Sequence, residues 1–251
     1  MPPKNHYPLL VIDAGNSAVK FGMVARGGGA PKLLKSVPTE KLTLAMAKKV
    51  GSNAQSVAVS SVVPAVSTIL KKAFPRASFI GSRTKLNFTT RVDRKTSGSD
   101  RLANVAAARA RYKKNVLIAS FGTATTFDII DADGIHRGGA IAPGWHAFAE
   151  LPASKTALLP RAEAKAPRRF VGKSTREALS AGTAGGYAAM VRHIIEAMKR
   201  ETRVKHLHIV ATGGDAQAVI EMARLKSVSD PLLTLRGIAV LCAGDAREGR
   251  K

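Results

Sequence analysis

Twice in this chain an apolar strand-like run breaks at a glycine and resumes as a second apolar run. The first copy is "LLVIDAGNSAVKF" at 9–21 and the second is "NVLIASFGTATTFDII" at 115–130. Overlaid, Gly15 falls on Gly122 and Asp13 falls on Ser120. Continuous apolar runs of this length, bounded by turn residues, are what buried strands look like. A repeated strand–turn–strand opening therefore predicts two related α/β lobes, about 1–115 and 116–251. The first copy brings a carboxylate to its strand end, where the second brings only a hydroxyl. Glycine in such a turn lets backbone N–H groups approach phosphate oxygens, and the Asn or Thr that follows adds donors. A third glycine turn, "ATGGD", arrives late in the chain. Together these predict a nucleotide site, with Asp13 positioned to hold Mg²⁺, an ion that takes few carboxylates plus phosphates.

Between the repeats the reading is mixed. A helix is expected over Thr39–Val50, a strand over "SVAVSSVVP" ending at Pro64, and a helix over Val66–Phe74. "VARGGGAPK" reads as a loop and 81–99 as polar and turn-rich. "LANVAAARARY" is alanine-rich without Gly or Pro and predicts a helix over Leu102–Tyr112. Later come a strand over Ile135–Ile141, a helix followed by a long basic connector from "PGWHAF" to "PRRF", and a helix over Ala178–Glu201 relieved by Gly185-Gly186. A strand in "HLHIVATGGDA" leads to a helix starting near Ala216.

"GSDR" at 98–101 stands directly before the alanine-rich helix. Ser99 there reads as a helix cap, and Asp100 is favoured beside the positive helix end. The same placement keeps Asp100 ionised next to Arg101, where it can orient a substrate hydroxyl and accept its proton.

The balance of 40 Lys and Arg against 17 Asp and Glu leaves a net charge of +23, which favours anionic partners. Basic residues are scattered, with clusters such as Lys48-Lys49, Arg109 to Lys114 and Arg161 to Arg169. Aromatic residues make up 5%, too few for the stacking platforms of single-strand binders, so contact with nucleic acid is expected to be weak and nonspecific if it occurs. A single cysteine, Cys242, excludes an internal disulfide and a cysteine-based zinc site, and its apolar run "GIAVLCAG" reads as core. With no membrane-length apolar run and no signal-peptide pattern in "MPPKNHYPLLVID", the expected location is the cytoplasm. His146 follows a Pro-Gly turn with no evident partner. His206 and His208 alternate on an expected strand without a third metal ligand, and Trp145 reads as core or interface.

The order of these segments resembles the type III pantothenate kinases, a group that includes the Bvg accessory factors. "DAGNSAVK" is similar to that family's phosphate motif, "SSVVP" to its next strand end and "GSDRLANVAAA" to its G-x-D-R segment. "GTATTFDIIDADGIHRGGAIAPG", "TALLP", "GKST" and "ATGGD" follow in the family's order. The resemblance implies an actin-like ATPase (ribonuclease H-like) fold with the nucleotide between two lobes. It implies ATP- and Mg²⁺-dependent phosphorylation of pantothenate, the first step of coenzyme A synthesis, by a homodimer. Carried over onto matching positions, Asp13, Gly15, Asn16, Ser17 and Lys20 would hold the triphosphate and its Mg²⁺, and Thr123 and Thr126 would touch ATP. Asp100 would be the base, with Gly98, Ser99, Arg101 and Thr175 lining the substrate. The family writes Asp where this chain has Ser120, at a monovalent-cation site for K⁺ or NH₄⁺, so activity without potassium is expected. Two other readings stay open: a catalytically weak paralogue, and a regulatory or nucleic-acid-associated protein built on the same scaffold.

Overall fold

A computed structural model describes residues 8–26 and 28–245. The opening stretch Met1–Tyr7 and, within the expected glycine loop, Gly27 lie outside the described residues. The chain divides into two units: 1–113 with 133–136 and 232–251, and 114–132 with 137–231.

In the first unit, β1 (Leu9–Ala14), β2 (Ala18–Val24) and β3 (Lys32–Pro38) precede α1 (Leu44–Val50), β4 (Ser56–Ser61) and α2 (Pro64–Ala73). Then come β5 (Ser78–Phe79), β6 (Thr89–Thr90) and α3 (Ser99–Arg111). The sheet runs β3-β2-β1-β4-β5, with β1 antiparallel to β2 and parallel to β4. Alternation along β1 sorts its side chains onto two faces. Leu10, Ile12 and Ala14 join the core beneath α1 and α2, while Leu9 and Val11 join the core with α3. The helix expected from Thr39 begins only at Leu44, where the Thr43 hydroxyl accepts from the Met46 N–H; residues 39–41 form a tighter 3₁₀ turn. The expected strand end at Pro64 instead starts α2, since proline suits the first helical position. Strand β3, unseen in the sequence, is an edge strand with one buried residue, Val37, and so carries no apolar alternation.

The second unit opens with β7 (Val116–Phe121), β8 (Ala124–Ile130) and β9 (Ile135–Pro143), whose first residues count with the first unit and pair with β6. It continues through α4 (Trp145–Lys155), α5 (Thr175–Ser180), α6 (Gly186–Thr202), β10 (His208–Thr212), α7 (Ala216–Ala223) and β11 (Val228–Ser229). Its strands run β11-β10-β7-β8-β9. The single helix expected over 178–201 is interrupted: Ala181–Gly185 wind as a wider π turn between α5 and α6. Tyr187, at the start of α6, is fully buried and shares a 2.6 Å hydrogen bond with Thr125. Its ring meets Trp145 edge-on, which places Trp145 in the core.

Helix α8 (Leu233–Asp245) contains Cys242 and returns to the first unit, where it packs chiefly on α3. Cys242 is only partly buried there. The approach is close because both surfaces are small: a Cβ on Gly237 would stand 1.7 Å from the Ala103 carbonyl oxygen. Thr234 donates to the buried Asn104 side chain at 2.9 Å across the same seam. We expect Gly237→Ala to lower the urea midpoint, by about 1–3 kcal/mol of stability from overpacking, despite alanine's better helix propensity. An unchanged midpoint would mean that the two helices can separate without loss.

Candidate active site

Register builds the first cluster. Asp13 pairs with Lys20 across β1 and β2, and with Ser60 across β1 and β4. Residues in register project to the same side. All three therefore share the α3-covered face, at the end where the apolar residues stop. Opposite charges directly across an antiparallel pair attract, and Lys20 lowers the Asp13 pKa. That effect is the smallest of three: burial and the nearby Asp100 carboxylate together raise Asp13 from 3.8 to about 7. Two carboxylates and one lysine thus meet at the end of β1, with the α3 N-terminus arriving over them.

The hydroxyl of Ser99 does not cap α3, contrary to the sequence reading. Gly98 occupies the cap position without a side-chain bond. Ser99 is buried, and its hydroxyl lies 2.8 Å from the Ser60 hydroxyl and donates weakly to the Ser61 carbonyl. Ser60 is itself fully buried, so a buried hydroxyl pair fastens the start of α3 to the strand beside Asp13. The sequence reading gave Ser60 no role. Its one signal is parity: in "SVAVSS" it falls on the same face as Ala58, in register with Asp13. The Asp100 carboxylate folds back over Gly98, where an added Cβ would stand 2.4 Å from Oδ1. Gly98→Ala is expected to displace that carboxylate and cut kcat by about 10–10²-fold while leaving the melting temperature nearly unchanged. Wild-type kcat in that variant would show that the carboxylate's position is unimportant.

The turn Gly15-Asn16-Ser17 closes β1 on β2, with the Gly15 N–H donating to the Ala18 carbonyl at 3.1 Å. Thr39 donates to the Gly15 carbonyl at 2.7 Å, and Asn16 and Ser17 are exposed at the tip. Arg101, half-buried, follows Asp100 on α3.

The second unit repeats this plan with other chemistry. Ser120 pairs with Thr126 on β8 and with Thr212 on β10, as Asp13 pairs with Lys20 and Ser60. Gly122 donates to the Ala124 carbonyl at 3.2 Å, closing a turn at Gly122-Thr123 that is shorter than its counterpart. Thr123 is exposed and Thr126 half-buried. The backbone around these turns is crowded: a Cβ on Gly144 would stand 2.0 Å from the Gly122 carbonyl, and one on Gly213 (φ +100°) 2.1 Å from the Phe121 carbonyl. Only glycine fits either place.

His146 has partners that sequence distance hid. Its Nε2 lies 3.1 Å from Asp215 Oδ1, and Arg161 donates to Nδ1 at 2.8 Å while also pairing with Glu150 at 3.1 Å. Asp215 belongs to the late "ATGGD" turn, so this chain of groups ties α4 and the basic connector to the start of α7. His206 lies outside β10 with a left-handed φ of 50°, so it does not alternate with His208 on a strand. Among the described residues no cluster of three His, Cys, Asp or Glu side chains could hold a metal ion, and no helix is long and apolar enough to cross a membrane. Thr175 opens α5, behind the Ser174 cap, and is exposed.

A hairpin with a glycine turn, a parallel strand beside it, and the repetition of that unit define the actin-like ATPase fold. Solved structures with this fold include a protein called a Baf family transcriptional activator from Campylobacter jejuni, at TM-score 0.67 and 20% identity over 95% of this chain and 99% of that one. Another is the activator of 2-hydroxyisocaproyl-CoA dehydratase from Clostridium difficile, at TM-score 0.55 and 11% identity over 96% of each chain.

The chain belongs to the type III pantothenate kinase family, whose sequence profile matches residues 9–197. It is 34% identical to the type III pantothenate kinase of Methylacidiphilum infernorum, over 93% of this chain and 87% of that protein. It is 34% identical to that of Listeria monocytogenes, over 93% and 96%.

Proposed function

We propose that this protein is a pantothenate kinase that transfers the γ-phosphoryl group of ATP to the primary hydroxyl of pantothenate, forming 4′-phosphopantothenate and ADP. The observation that carries the reading is the meeting of Asp13, Lys20 and Asp100 at the end of β1, in a chain of this family. Asp100 accepts the hydroxyl proton as the oxygen attacks phosphorus. The fork of Arg101 and the backbone of Gly98 and Ser99 face the acceptor, with Thr175 contributing from α5. Lys20 and the donors of Asn16 and Ser17 hold the phosphates over the Gly15 turn, and Thr123 and Thr126 touch the nucleotide.

The residues present fit Mg²⁺. Asp13 lies beside a second carboxylate whose repulsion helps hold its proton, and a divalent cation relieves such repulsion. A site poor in carboxylates suits an ion that prefers waters and phosphates for its remaining positions. Asp13 would hold it, directly or through water, and the bound ion would offset charge on the phosphoryl oxygens. Turnover of ATP and pantothenate with Mg²⁺ tests the reading; ATP binding without turnover would favour the weak paralogue instead.

The cation question falls on Ser120, whose cross-strand neighbours Thr126 and Thr212 also bring hydroxyls and no charge. We expect turnover without potassium, and Ser120→Asp to introduce or increase potassium stimulation at constant ionic strength. Strong potassium activation of the unmodified protein would overturn this. A homodimer would cover some of the exposed apolar residues, among them Ile141, Leu151, Leu158, Phe170 and Val171.

A further inference from the structure

The basic cluster noted at Arg161 to Arg169 lines one side of a cavity of about 490 Å³ in the second unit, and α5 lines the other. Its charges do not cancel locally. Arg161 is committed to Glu150 and His146. Glu177 is committed to the start of α5, where it accepts from the Lys173 N–H at 2.7 Å and its own N–H donates to the Ser174 hydroxyl. That reciprocal cap occupies one oxygen of the Glu177 carboxylate, which also lines the cavity. What remains is Lys165, Arg168, Arg169 and Arg176 against Glu163. None of those four cations forms an ion pair or side-chain hydrogen bond among the described residues. The rest of the lining includes Ala162, Ala166, Pro167 and Leu179.

A solvated basic face spreads its charges over a convex surface. Here uncompensated guanidinium groups surround a concavity with an apolar lining, at a volume usual for small-molecule sites, about 300–1,000 Å³. Guanidinium forks match phosphate oxygens two at a time. We propose that this cavity, lined by residues of the second unit alone, binds a small, multiply phosphorylated anion. Since α5 opens with Thr175 and Arg176, an occupant fixes the element that carries a proposed acceptor contact. Binding itself does not depend on the kinase reading.

Calorimetric titration of the full chain with inorganic triphosphate tests this. Two classes of site are expected. R168A/R169A should weaken one by at least about tenfold, the loss of two charge-assisted contacts, with kcat and the KM for ATP unchanged. Lys20→Ala should weaken only the other. If R168A/R169A does not fold, as judged by far-UV circular dichroism, Lys165→Gln reads the same class of site. A single class that responds only to Lys20→Ala overturns the proposal. So does a short single-stranded oligonucleotide that binds more tightly than triphosphate and is lost in R168A/R169A, since the cations would then form an extended nucleic-acid surface. Loss of turnover in the unmodified protein, with both triphosphate classes intact, would sink the kinase reading and leave this site standing.

Discussion

Asp100→Asn is expected to lower kcat by about 10²–10⁴-fold, the range of a general base, while the protein still folds and binds ATP. The amide keeps the size and the packing over Gly98 but cannot take a proton. Its neutral charge also removes one of the causes that raise Asp13. The variant therefore carries a second signature: Asp13 becomes easier to ionise, and the pH dependence of stability flattens. Single-turnover kinetics with ATP and pantothenate measures the first effect, and urea melts across pH measure the second. Wild-type turnover would remove Asp100 from the chemistry and leave it as a favourable charge at a helix start.

Asp13→Asn is expected to act in opposite directions on activity and stability. Loss of the strand-end carboxylate should reduce kcat/KM for Mg²⁺-ATP by about 10²–10³-fold, the cost of removing one preorganised electrostatic contact. In metal-free, nucleotide-free protein the same change should stabilise the fold at neutral pH and above. Burial, and after it the Asp100 charge, raise the Asp13 pKa in the folded chain to about 7 from its ordinary 3.8. A raised pKa in the folded state gives stability that is fully present below the unfolded value and is lost as pH rises toward 7. A shift of this size is worth at most about 4 kcal/mol, and partial access to solvent reduces that to about 2 kcal/mol. Melts between pH 4 and 8 should show wild type losing stability while the variant stays level. Parallel curves would show that Asp13 is ionised in the folded protein. On the proposed reading the carboxylate is a costly fixture kept for its chemistry, as is usual where activity and stability compete.

How far the sequence could be read depended on whether the deciding interaction was local. Both hairpins were legible because their strands are buried and apolar and their turns carry glycine. Asp13 and Gly15 could be named from one segment, Lys20 only through the family resemblance, and α3 from its alanines. The Ser60–Ser99 fastening beside Asp13 was not legible, because it joins distant segments through register and helix docking, neither of which leaves a local pattern. The same holds for His146, whose partner Asp215 lies on a distant turn. Strand β3 was missed because an exposed edge strand has no buried face to create alternation. The π turn was missed because glycines within a helical pattern show where winding can change, but not which winding results.

The return of α8 to α3 has a consequence for the newborn chain. At the ribosome, α3 emerges long before the helix that covers it. The intervening residues take roughly 7–30 s to make at 5–20 residues per second. Throughout that interval the alanine face of α3 and the buried side of β1 lack their lid, so the first unit is sealed only after residues 114–231 have been made. Its aspartate pair is assembled against a half-covered sheet, and α8 closes it on emerging.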